Sequence, residues 1–134
     1  TDDRTECAEA GECVTQTALE SPAVGIGSGH GFETEQPRLD IGRLAGIKAA
    51  NSTKLVLHGV TGWPEDQIKD AIKNGISKIN VGTLIYTSYL TALKKKLNTY
   101  EDQSYSLNLF DEAVETVTEA ARGWIRTVGA NAKA

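Results

Sequence analysis

Residues 54–82 read KLVLHGVTGWPEDQIKDAIKNGISKINVG, and the rest of the chain falls into place around them. The run KLVLH is continuously apolar after its lysine, as expected for a strand buried on both faces. Pro64 suits a first helical turn, where its missing N–H costs nothing. Glu65 and Asp66 complement the positive end of the helix dipole. Ile68, Ala71 and Ile72 supply the apolar stripe, and Gly75 is a suitable residue just past a helix end. ISKINVG then reads as a second strand. Strand, helix and strand in this order form one β-α-β unit with parallel strands.

The same alternation extends in both directions. Upstream, residues 5–18 read as a polar helix, AVGIG as a short buried strand after Pro22, and LDIGRLAGIKAA as a helix whose Leu39, Leu44 and Ile47 share a face. Asp40 belongs to that helix's first turn. Downstream, TLIYTSYLTALKKKL reads as a third crossover helix, with Tyr86 and Tyr89 as packing residues. A long terminal helix follows, with Phe110, Val114, Val117 and Ala121 at helical spacing. The order α-β-α-β-α-β-α-α predicts an α/β fold with three parallel strands and crossover helices. Three strands cannot close a barrel, which takes eight strands and about 250 residues. Open sheet edges are normally covered. The expectation is therefore the C-terminal part of a TIM (β/α)8 barrel, residues 1–134 forming one partial barrel domain and no second domain.

The chemistry sits at the strand ends. The two histidines of the chain, His30 in AVGIGSGHG and His58 in KLVLHGVTG, each close an apolar run and abut glycine. In a parallel sheet both imidazoles emerge at the C-terminal end, where such barrels build their sites. Two converging imidazoles suggest a metal, most simply zinc, although catalytic zinc usually takes three protein ligands. Each could equally be a satisfied polar residue. Gly31, then Gly59 and Thr61, then Asn80, Gly82 and Thr83 line the turns after the three strands. Glycine lets backbone N–H groups approach an anion and threonine adds a hydroxyl, which suits phosphate beside the metal; ordinary βα turns have the same composition. Asn80 could simply tie down a turn. Trp63 follows the site loop and could line the pocket, but rim packing is the preferred reading.

Composition narrows the classes. A net charge of −4 and a pI of 5.2 give no reason to expect nucleic acid or an anionic membrane surface. Lys94, Lys95 and Lys96 read as a solvated helix end. No apolar run approaches the ~20 residues that span a bilayer, and no signal-peptide pattern is visible, so a cytoplasmic protein is expected. Cys7 and Cys13 match no common zinc or redox spacing and read as structural or incidental. The chain begins with Thr1, which suggests processing or a longer parent protein.

At these residues the sequence resembles the class II, zinc-dependent fructose-bisphosphate/tagatose-bisphosphate aldolase family. AVGIGSGHG is similar to the family segment that carries a zinc histidine, and PRLDIGRLAGIKAA to the helix after it. LVLHGVTGWPEDQIKDAIKNGISKINVGT resembles the family's LVLHGGSGIPDEDIKKAI…KINVAT stretch, and TVGANAKA its usual terminus. The likeness covers the C-terminal half of a family member.

The resemblance implies that His30 and His58 are zinc ligands, and that Gly31, Gly59 and Thr61 meet substrate phosphate and a monovalent cation. It implies that Asn80 and Thr83 hold the dihydroxyacetone phosphate end. The reaction implied belongs to carbohydrate metabolism of the glycolytic type. Fructose-1,6- or tagatose-1,6-bisphosphate is cleaved reversibly to dihydroxyacetone phosphate and an aldehyde phosphate, with zinc stabilising the enediolate. A further histidine ligand and the acid/base carboxylate are implied in the N-terminal half, so no catalytic residue is expected here and the isolated segment is expected to be inactive. No Asp-His pair occurs in this sequence. Val60 stands for a glycine, Thr61 for a serine, Trp63 for a smaller aliphatic and Leu84 for an acidic residue. Thr61 keeps the hydroxyl, whereas Val60 and Leu84 support an alternative, a non-catalytic barrel remnant binding a phosphorylated ligand or a partner chain. A homo-oligomer, or completion by another barrel half, is expected in either case.

Overall fold

Two short strands, β1 (Leu55–Leu57) and β2 (Ile76–Ile79), pair in parallel, with an α-helix between them in sequence. The computed structural model describes residues 4–28, 38–101 and 108–131. The helices are α1 (Cys7–Thr17), α2 (Ile41–Ala50), α3 (Glu65–Lys73), α4 (Thr83–Asn98) and α5 (Asp111–Thr127). They divide between two units, Thr1–Val81 and Gly82–Ala134.

In the first unit β1 is central and wholly buried, as its unbroken apolar run requires. Leu55 pairs with Ile76, Val56 with Lys78 and Leu57 with Ile79, so the register slips by one residue at Ser77 before it settles. Around β1 lie Ile26, Leu44, Ile47, Ile68 and Val60, all almost completely removed from water. Helix α3 begins after Pro64, carries Glu65 and Asp66 in its first turn, and buries Ile68 and Ala71. Gly75, at φ +115°, turns the chain from α3 into β2. A side chain there would be strained and would meet Lys48 Cγ at 2.8 Å. Helix α1 packs on α2, where Gly46 allows the approach: a Cβ on it would lie 2.9 Å from Cys7 Sγ. Cys7 and Cys13 are free thiols, Cys7 half-buried against α2 and Cys13 exposed.

The expected first strand is shorter than its sequence suggests. Among the described residues AVGIG makes only an isolated parallel bridge, Ala23 to Val56, with Val24 N donating to Val56 O at 3.0 Å and Val56 N to Pro22 O at 3.0 Å. Its next residues turn to other partners. Thr5 N donates to Gly25 O and Gly25 N to Thr5 Oγ1, both at 2.8 Å, while Asp40 N donates to Ile26 O at 2.9 Å. The ladder stops where these bonds begin, so among the described residues the sheet has two strands plus a bridge, short of the three strands expected.

The second unit is a helical pair, α4 against α5. Lys95 Nζ donates to Glu112 Oε1 at 2.9 Å across the pair and holds the Glu112 carboxyl below its ordinary range. Contrary to expectation, Tyr86 is 72% exposed, and Phe110 and Val114 are also open to solvent. Two helices can bury only the faces they turn to each other.

Candidate functional site

The register that pairs Leu57 with Ile79 brings the next residues, His58 and Asn80, side by side at the C-terminal end of the sheet. Asn80 N donates to Leu57 O at 3.0 Å, which fixes the Asn80 backbone against the end of β1. The side chains then meet: Asn80 Nδ2 lies 3.0 Å from His58 Nε2. Both residues are half-buried. Asn80 therefore ties His58, rather than merely its own turn.

The HGVTG turn follows directly. Gly59 adopts φ +64° and Gly62 φ +84°, conformations that favour glycine over any L residue. Trp63 N donates to Val60 O at 3.2 Å and closes the turn. Val60 is only 1% exposed, so its isopropyl group belongs to the core and the turn accepts it there. Thr61 is buried as well, at 3% exposure, and no buried side-chain N or O among the described residues lacks a partner. Trp63 is buried, in keeping with the packing role read from the sequence.

The positive end of α3 lies just beyond this turn, but Glu65 and Asp66 occupy its first turn and offset the dipole. Thr83 is the first residue of α4, in the second unit. His30 and Gly31 lie outside the described residues. Among the described residues no three His, Cys, Asp or Glu side chains cluster as a metal site. The chemistry of His58 nonetheless suits one ligand position: a strand-end imidazole with one ring nitrogen held by a neighbouring amide.

Sequence reasoning passed over a second polar cluster, at the start of α2. Asp40 caps the helix, its Oδ1 accepting from Arg43 N at 2.8 Å. Arg43 Nη1 also donates to Glu6 Oε1 at 2.8 Å and to Thr5 O at 3.3 Å. Leu39 N donates to Gln67 Oε1 at 3.0 Å. The cluster pins the residues before α1, and the residue leading into α2, to their neighbours. An acid–base pair three apart, Asp40 and Arg43, was its visible sign.

A family model described as fructose-bisphosphate aldolase class-II matches residues 1–133. The chain belongs to this aldolase family. It is 36% identical over 126 residues to Uncharacterized protein YdjI of Escherichia coli (strain K12), covering 94% of this chain and 44% of that protein. The crystal structure of the YdjI aldolase from Escherichia coli K12 superposes with a TM-score of 0.86 at 36% identity, over 98% of this chain and 48% of that one. A putative fructose-1,6-biphosphate aldolase from Coccidioides immitis shares the fold, with a TM-score of 0.82 at 24% identity over 97% of this chain and 45% of that one. The chain thus has an α/β fold like that of aldolase structures, and it spans about half the length of the relatives it matches. Aldolases of this class are lyases of carbohydrate metabolism. No helix among the described residues is long and apolar enough to cross a membrane.

Proposed function

We propose that this chain is the C-terminal part of a class II aldolase barrel, a single partial domain, and that the protein carrying it cleaves a ketose bisphosphate. The substrate is fructose-1,6- or tagatose-1,6-bisphosphate, and the products are dihydroxyacetone phosphate and an aldehyde phosphate. The observation that carries the reading is the strand-end pair of His58 and Asn80, 3.0 Å apart, in a chain of this family.

His30 and His58 would hold zinc, His58 from the end of β1. Bound there, zinc supplies a Lewis acid that polarises the substrate carbonyl. Gly31, Gly59 and Thr61 receive a substrate phosphate, with the left-handed Gly59 forming the tight turn after β1, and they are the place for a monovalent cation. Asn80 and Thr83 bind the dihydroxyacetone phosphate end. A remaining ligand and the carboxylate that moves the proton come from the part of the family fold beyond these 134 residues. The segment alone is then inactive. Soluble, cytoplasmic operation and a homo-oligomer or a completing barrel half go with this reading.

The test is retro-aldol cleavage of both bisphosphates by the intact protein, with and without chelator and added zinc. Chelation should stop the reaction and zinc restore it. His58→Ala should lower kcat/KM by at least roughly a hundredfold, since several kcal/mol of charge stabilisation are lost. If neither sugar is cleaved while phosphorylated sugars still raise the melting temperature, the non-catalytic remnant is the correct reading.

A further inference from the structure

We infer that Asn74–Gly75 is a deamidation site held shut by the last turn of α3, and that its conversion loosens the joint between α3 and β2. Neither the metal nor the substrate assignment enters. This is the one Asn-Gly pair in the sequence; the other asparagines are followed by Ser, Val, Thr, Leu or Ala. Glycine leaves its backbone nitrogen unshielded by a side chain, so that nitrogen reaches the asparagine amide carbon more readily than at the other sites.

Water is the only co-reactant. Hydroxide removes the Gly75 N–H proton, the nitrogen bonds to Asn74 Cγ, and the Cγ–Nδ2 bond breaks as ammonia leaves with a proton from water. Water then opens the cyclic imide. Cleavage at Cγ gives an aspartyl residue; cleavage at the backbone carbonyl gives an isoaspartyl residue, with one extra carbon in the main chain. The native fold opposes the first two moves. Gly75 N donates to Ile72 O at 3.2 Å, so losing its proton breaks a bond. Asn74 Nδ2 donates to Asp70 O at 2.8 Å, which turns the amide back along α3 and away from Gly75 N. Asn74 is only half-buried, so geometry rather than dryness is the barrier. After conversion an acceptor stands where Nδ2 donated, and a carboxylate meets the negative end of the helix dipole. An isoaspartyl link also lengthens the backbone just before Gly75, whose φ +115° turn leads into β2. The register of β2 on β1 sets Asn80 beside His58, so the lesion is felt at the strand ends.

To test this, the intact protein is held at mildly alkaline pH in native buffer and in guanidinium chloride above its unfolding midpoint. Isoaspartyl groups are counted by an isoaspartyl-specific methyltransferase and placed by peptide mapping. In denaturant Asn74 should convert before any other asparagine, and at least roughly tenfold faster than in the folded protein, as for a group released only by opening of the structure. Asn74→Gln should lose the signal at this site. Asn74→Asp, which reproduces the aspartyl product, should unfold at lower urea than wild type at neutral pH. Equal rates in the folded and unfolded protein, or another asparagine converting first in denaturant, overturn the inference. An Asn74→Asp protein as stable as wild type overturns the loosening of the α3–β2 joint. Should Asn74→Asp not fold at all, the loosening is upheld in its extreme form, and the wild-type rates decide the protection.

Discussion

At the scale of single residues, Asp40 shows how one side chain can carry several duties. It caps α2 through the Arg43 N–H, and that bond, with the Arg43 and Arg4 guanidinium groups nearby, holds its carboxyl below the ordinary range. A carboxyl whose pKa is lowered by folding stabilises the native state fully above its unfolded value. That contribution is lost as pH falls through the lower folded value. Asn keeps the capping oxygen and removes the charge. Urea denaturation should therefore find Asp40→Asn less stable than wild type at neutral pH, with the gap closing in acid below the ordinary carboxylate range. A gap that stays constant with pH would show that the charge contributes nothing. The same scale exposes the limit of sequence reading. His58 stood out because it ends an apolar run beside glycine. Its tie to Asn80 did not, because the two are 22 residues apart and meet only through strand register.

At the scale of elements, the helices with strong local signals formed where expected. Helix α3 runs from just after Pro64 to just before Gly75, and α2 buries Leu44 and Ile47 from the predicted stripe. Local chemistry decides such cases: a proline, two first-turn acids and a glycine act within a few residues of the helix they bound. AVGIG went differently because its competing partners, Thr5 and Asp40, come from elsewhere in the chain. The α2 stripe is where element and core meet. Ile47 is fully buried, so Ile47→Ala should leave a cavity and cost about 2–5 kcal/mol. The midpoint of a urea transition would fall accordingly, with an unchanged slope. A loss under about 1 kcal/mol would mean that α2 can move inward to refill the space, and that the first unit is less tightly packed than its burial implies.

At the scale of the whole molecule, the class of fold was legible because alternating patterns repeat, whereas what covers the second unit was not, because surface partners leave no periodic trace. Tyr86, Leu90 and Leu97 share one face of α4, and Val114 and Ile125, with Phe110 just before the helix, share one face of α5; all are exposed. Rows of exposed apolar side chains of this kind mark an interface or an aggregation hazard where they join into a patch. The family relatives are about twice as long as this chain, and on the proposed reading the missing barrel half supplies structure as well as chemistry. The 134-residue segment taken alone should then self-associate. Sedimentation velocity should give at least twice its 14.4 kDa mass, together with strong binding of an apolar dye, and no cleavage of either bisphosphate. The intact protein should bind little dye and be active. A segment that sediments as a well-behaved 14.4 kDa monomer with no dye binding would sink the completion argument, because the stripes on α4 and α5 would then be stable in water as they stand.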